Sequence, residues 1–199
     1  MQTLKRTLFW IVLLFLLETW LVACTCSAPS SFRYANERLT ALSLDNSGAQ
    51  PQLSRFNSVH KNAYGIRMNI ERTRVAAISE SWHVGNMAYA TTKRCSAEYN
   101  PTAAIENIRI ITLHDFDATH SAGADLTVYF KQVKSGKFYD IETLYDGASQ
   151  VFIDDMLMPL EADMLLIKAP EYIGMHAFAV EARLSDGTLL SDTTSVQLY

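Results

Sequence analysis

The densest group of chemically able side chains is His114-Asp115-Phe116-Asp117-Ala118-Thr119-His120, with Asp125 five residues further on. Carboxylates two apart beside imidazoles could hold a divalent cation, and Asp115, Asp117 and His120 form the candidate set for a metal-dependent enzyme. Hard cations want six or more oxygen ligands, and the segment lacks the spacing of an EF-hand loop. It also lacks the short histidine spacing of the zinc hydrolases. The plainer reading is a strand-to-helix loop in which Asp and Thr side chains bond backbone amides. Elsewhere the chemistry is thin. No Gly-x-Ser-x-Gly elbow and no glycine-rich phosphate loop occur. Cys95 follows Lys93-Arg94, and neighbouring cations favour a thiolate, but a structural cysteine is the better reading. Met156, Met158 and Met164 around Pro159 could make an adaptable partner surface; core filling is the simpler use. The expectation is no catalytic residue and no cofactor.

A different kind of chemistry is written at the N-terminus. Lys5-Arg6 precede Leu8–Leu17, a run whose only polar side-chain atom is the indole nitrogen of Trp10. A positive start, an apolar stretch and a small residue at its end make a signal peptide, expected over residues 1–23. A bilayer-spanning helix needs about 20 apolar residues, and Glu18 interrupts this run too early. The segment ends in Leu21-Val22-Ala23-Cys24, which resembles the bacterial lipobox. That resemblance implies a diacylglyceryl group on Cys24 and cleavage just before it. Each buried methylene of such a chain contributes about 0.8 kcal/mol to membrane attachment. Residues 24–31 are small and polar and read as a tether. Cys26 and Cys95 remain as a possible disulfide, which spacing alone does not establish.

What must position the loop cluster is read from periodicity. Arg38–Leu44 alternates loosely and ends in the turn cluster Asp45-Asn46-Ser47-Gly48. Ile66, Met68 and Ile70 alternate with polar residues, which puts them on one face of a strand. Ile105–Leu113 is a β-branched run able to bury both faces. Leu126, Tyr129, Phe130 and Val133 fall at helical spacing with Asp125 as a cap, so a short helix is expected there, ending at Lys134–Lys137. Residues 138–163 are ambiguous: Phe138, Ile141 and Leu144 suit a second helical turn, and Gln150–Ile153 a short strand. At the C-terminus, His176, Phe178, Val180, Ala182 and Leu184 share one face. Ser185-Asp186-Gly187 then turns the chain into a last strand, a strong hairpin signal. The expected fold is mainly β: an antiparallel β-sandwich over residues 32–199, immunoglobulin-like, with one or two short helices.

Composition sets the partner classes. The net charge is -4, from 17 basic and 21 acidic residues. Removal of residues 1–23 takes away Lys5, Arg6 and Glu18 and makes the chain one charge more negative. An acidic domain is not expected to bind nucleic acid, which needs a basic face.

Five segments together resemble a family of uncharacterised lipoproteins from Bacteroidetes: Leu-Asp-Asn-Ser-Gly at 44–48, Ala-Tyr-Gly-Ile-Arg at 63–67, Tyr-Asn-Pro-Thr at 99–102, Asp-Phe-Asp-Ala-Thr-His at 115–120 and Leu-Ser-Asp-Gly-Thr at 184–188. The resemblance implies a lipid-anchored β-rich domain of the cell envelope and brings no catalytic or binding residue with it. No acidic run follows Cys24, which favours an outer-membrane anchor facing the periplasm, with the cell surface as the alternative. The expected function is a non-enzymatic binding or structural domain with a protein or glycan partner of unknown identity.

Overall fold

The computed structural model describes residues 10, 31–78, 98–134, 136–141, 152–153 and 156–199. Cys24, Cys26 and Cys95 lie outside them, and with them all but Trp10 of the expected signal peptide, most of the expected tether, the expected lipid site and the possible disulfide. Leu144 and the Gln150-Val151 part of the expected strand lie outside them too. The chain divides into two compact units, Met1–Arg33 with Ala76–Asn100, and Tyr34–Val75 with Pro101–Tyr199. In the first, Phe32 stacks on Tyr99 at 4.9 Å.

The strands are β1 (Ser31–Asp45), β2 (Gln52–Leu53), β3 (Ser58–Val59), β4 (Tyr64–Ile78), β5 (Glu98–Pro101), β6 (Ile105–Thr112), β7 (Phe130–Lys134), β8 (Lys137–Asp140), β9 (Phe152–Ile153), β10 (Met156–Leu157), β11 (Leu160–Leu166), β12 (Gly174–Leu184) and β13 (Leu189–Leu198). One sheet has the order β2-β1-β4-β11-β7-β8, with β5 also on β1; the other has the order β3-β13-β12-β6; β9 and β10 pair with each other. Taken in chain order, the seven principal strands β1, β4, β6, β7, β11, β12 and β13 fall as first-second-fifth-fourth in one sheet and seventh-sixth-third in the other. That is the strand arrangement of an immunoglobulin-like sandwich. The pairings β4–β11, β7–β11, β6–β12 and β12–β13 are antiparallel, and the two-residue β3 runs parallel to its neighbour β13.

The alternation in the sequence builds the core of the second unit. Ile66, Met68 and Ile70 of β4 are fully buried, as are Phe178, Val180 and Ala182 of β12 and Val196 and Leu198 of β13. Each large apolar side chain buried this way contributes about 1.5–3 kcal/mol. Tyr64 stacks on Phe178 at 5.3 Å and meets Phe130 edge-on at 6.5 Å, which ties the two sheets together. Burial pushes the Tyr64 phenol pKa up, while the Ser43 and Thr194 hydroxyls pull it the other way. Those two hydroxyls bond each other at 2.9 Å. The C-terminal hairpin stands where the alternation places it, and Gly187 at its turn has φ +87°, a conformation that side chains disfavour.

Two expectations change. The helix expected from Asp125 to Val133 is a three-residue 3-10 turn, Thr127–Tyr129, followed directly by β7. Leu126, not Asp125, stands at the cap position of that turn, which has no side-chain cap; Asp125 Oδ1 accepts the Thr127 N–H at 2.9 Å as a local Asx-type bond. From Phe130 onward, β11 on one side and β8 on the other take the backbone hydrogen bonds, and an isolated helix of this length has little stability to compete with them. Leu126 and Phe130 are both buried, which a turn followed by a strand achieves as well as a helix does. Phe138 then belongs to β8, not to a second helical turn. The second change concerns Ile105–Leu113. One face of β6 packs on the core, so Ile108, Ile110 and Thr112 are buried, while Arg109 is exposed and Ile111 half-buried, the same alternation as in its neighbour β12.

Candidate functional site

The acidic and histidine-rich segment is the loop that leaves β6. Phe116, fully buried, pins it to the core. Its backbone N–H donates to the His120 carbonyl at 2.9 Å, and its carbonyl accepts the Glu171 N–H at 3.0 Å. The Asp-x-Thr-His order then closes a tight turn: Asp117 Oδ1 accepts the backbone N–H groups of Thr119 at 2.8 Å and His120 at 2.9 Å. The same oxygen receives the Thr119 hydroxyl at 2.8 Å and faces His120 Nδ1 at 2.7 Å.

Two residues from outside the loop complete the cluster. The Lys168 ammonium, just past β11, donates to Asp117 Oδ2 at 2.8 Å and lies 4.6 Å from the centre of the Tyr129 ring. The Tyr129 hydroxyl is 3.3 Å from Lys168 Nζ and 3.4 Å from His120 Nε2. The Lys168 bond is the main reason the Asp117 carboxyl is held far below the usual carboxylate range; burial opposes it, and the His120 and Thr119 bonds add to it. Asp117 in turn, with Tyr129, raises the Lys168 pKa. Glu171 Oε2 braces the same loop by accepting the Ala118 N–H at 3.1 Å.

Asp117 and His120 therefore come together, and Asp115 does not join them: its Oδ1 accepts the Ala122 N–H at 3.0 Å. Among the described residues no group of three or more His, Cys, Asp or Glu side chains is placed to hold a metal ion. Asp125 is committed to Thr127 and to Arg109, whose Nε donates to it at 2.9 Å. A carboxylate on Nδ1 of an imidazole can set its tautomer, but here the outer nitrogen faces Tyr129. Both Asp117 oxygens are committed to protein donors. Chemically, the arrangement locks a loop to the end of β11. Lys168, Tyr129 and Glu171 carry no local sequence signal linking them to Asp117, because they lie far from it along the chain or on another element.

A second feature stands at the C-terminal end of β1. The segment from Asp45 to Ser58 encloses an open groove of about 250 Å³, lined by Asp45, Gln50, Gln52, Ser54, Arg55 and Phe56 among others. Phe56 is 87% exposed. Both flanks of its loop are fixed: the Ser54 N–H donates to the Ser43 carbonyl at 2.9 Å, and the Gln197 N–H donates to the Asn57 carbonyl at 2.7 Å. Asn57 has φ +49°, a left-handed conformation that asparagine tolerates better than most residues. The available signal was a lone aromatic in a polar run, Ser54-Arg55-Phe56-Asn57-Ser58.

No helix among the described residues is long and apolar enough to cross a membrane. No curated protein and no solved structure matches the chain. A family model described as a domain of unknown function, DUF5034, matches residues 36–195, which takes in most of β1 and β13, the principal strands between them and both features above. The chain belongs to that family.

Proposed function

We propose that the protein is a lipoprotein of the bacterial cell envelope, acylated at Cys24, whose sandwich is a non-enzymatic binding domain. The observation that supports the binding half is the groove at the end of β1, flanked by fixed backbone and lined by exposed polar side chains and Phe56, with Asp45 Oδ1 already accepting the Ser47 N–H at 2.9 Å. The chain enters the sandwich unit at Tyr34. Eleven residues of extended strand at about 3.3 Å each separate Tyr34 from Asp45, so the groove sits at the far end of β1 from that entry. The lipid half rests on the Lys5-Arg6 start, the apolar run and Leu21-Val22-Ala23-Cys24.

Detergent-phase partitioning and intact mass of the parent and of Cys24→Ser test the anchor. The parent enters the detergent phase at an acylated mass, and the variant does not. Equal partitioning and no mass difference beyond the substitution overturn the lipoprotein reading. Metal analysis tests the non-enzymatic reading against the metal-enzyme alternative: a stoichiometric ion present in the parent and lost in Asp117→Ala would overturn it.

A further inference from the structure

We infer that the groove at the end of β1 binds a neutral saccharide, with the Phe56 ring as its stacking platform; this rests on the binding-domain reading and names its ligand class. Phenylalanine is a residue that folding normally buries, yet Phe56 stands almost wholly in solvent. It is not there through slack in the chain. The backbone bonds at Ser54 and Asn57, and the pairing of Ser58 with Gln197 in β3–β13, fix the loop on both sides. A ring held in water on a fixed loop, beside a groove, is already arranged for a ligand to cover.

The groove's chemistry selects the class. Gln50 and Gln52 each offer an amide donor and acceptor, Ser54 a hydroxyl with both roles, Asp45 an acceptor and Arg55 a donor fork. One acid and one base leave the lining without net charge. A pyranose ring matches this set. One face of it presents C–H groups, whose positive hydrogens meet the negative face of an aromatic ring. Its rim carries hydroxyls that both donate and accept. A nucleic acid would need a track of cations, where the groove holds one arginine. An extended peptide would add to a sheet edge, but the edge strand here, β2, is two residues long, a length that discourages pairing. The groove is slightly below the usual ~300 Å³ lower limit of ligand pockets, which suits one or two sugar rings rather than a long chain.

The test uses the full chain, detergent-solubilised from the envelope and labelled, on an array carrying neutral glycans, anionic glycans and peptides. The best neutral oligosaccharide is then titrated calorimetrically. The expected result is retention on neutral glycans, with affinity falling about tenfold in Phe56→Ala, the loss of one aromatic stacking contact. A smaller loss is expected in Gln52→Ala. Phe56 is exposed, so its variant should melt with the parent, and a matched melting curve excludes unfolding as the cause. Retention on peptides or anionic glycans alone, no retention at all, or neutral-glycan binding indifferent to Phe56 overturns the saccharide groove. Mass spectrometry of the recovered oligosaccharide separates the two readings. A cleaved ligand overturns the non-enzymatic domain while leaving the groove, and an intact ligand bound without Phe56 does the reverse.

Discussion

Phe178→Ala should cost this fold more than most single changes, because Phe178 joins the two sheets. It is fully buried, stacks on Tyr64 at 5.3 Å, meets Phe130 edge-on at 5.8 Å and lies parallel to His176 at 6.2 Å. Truncation of a core phenylalanine costs about 3–5 kcal/mol in transfer and cavity terms. Aromatic pairs add roughly 0.5–1.5 kcal/mol beyond area, so the upper half of that range, about 4–5 kcal/mol, applies. Against a total stability of about 5–15 kcal/mol, that is a third or more of the fold at mid-range. At roughly 2–4 °C per kcal/mol for a chain of this size, Tm should fall by on the order of 10–20 °C. Arg183 provides the internal control. It is five residues along the same strand with its side chain exposed, and Arg183→Ala should stay within about 0.5 kcal/mol of the parent. Urea denaturation and differential scanning calorimetry on all three chains measure both. Equal, small shifts in the two variants would refute the placement of Phe178 between the sheets. A changed urea slope in Phe178→Ala would instead locate the effect in the compactness of one of the states.

Three further outcomes follow from the same contacts. Asp117 has a folded-state pKa below its unfolded value, so its stabilisation is present above the unfolded pKa of about 3.9 and is lost as pH falls toward the folded one. The stability gap between parent and Asp117→Asn should therefore be level near neutrality and narrow below about pH 4; a gap that widens in acid would contradict the Lys168–Asp117 pairing. Gly65→Ala should destabilise by about 1–3 kcal/mol, because an added Cβ would lie 2.7 Å from Leu165 Cδ2 and 2.9 Å from the Met164 carbonyl oxygen; an unchanged urea midpoint would mean that β4 and β11 can part there. Lys168→Met should loosen the Asp117 loop selectively, and hydrogen exchange should rise at Thr119 and His120 while β12 amides stay protected.

The strands that depend on local alternation were legible in the sequence, and those that depend on partners were not. Ile66, Met68 and Ile70, and the run from His176 to Leu184, have period-2 patterns with one apolar face. Asp186-Gly187 closes its hairpin through a conformation only its own backbone needs. The sandwich expectation came from candidate strands and the turn clusters between them; the strand order did not follow from these, and the structure supplies an immunoglobulin-like one. Residues 126–133 went the other way, since helical spacing there coincided with a turn followed by a strand. An eight-residue pattern cannot register that β8 and β11 lie on either side. The pattern of Ile105–Leu113 likewise could not say that only one face of β6 is covered.

By itself, the sequence determined the β class of the chain, the faces of its most regular strands, the final hairpin and the loop character of residues 114–120. All of these follow from side-chain period and turn chemistry within about ten residues. The tertiary structure alone decided what those residues meet. It brought Lys168 and Tyr129 to Asp117, turned Asp115 to the Ala122 amide, and set Phe56 in water on the wall of a groove. Lys168 lies 51 residues from Asp117 along the chain, and no local pattern encodes a contact at that separation. It exists because β11 pairs with β7 and the loop after β6 is pinned by Phe116, so the end of one strand and the turn of another reach the same point in space.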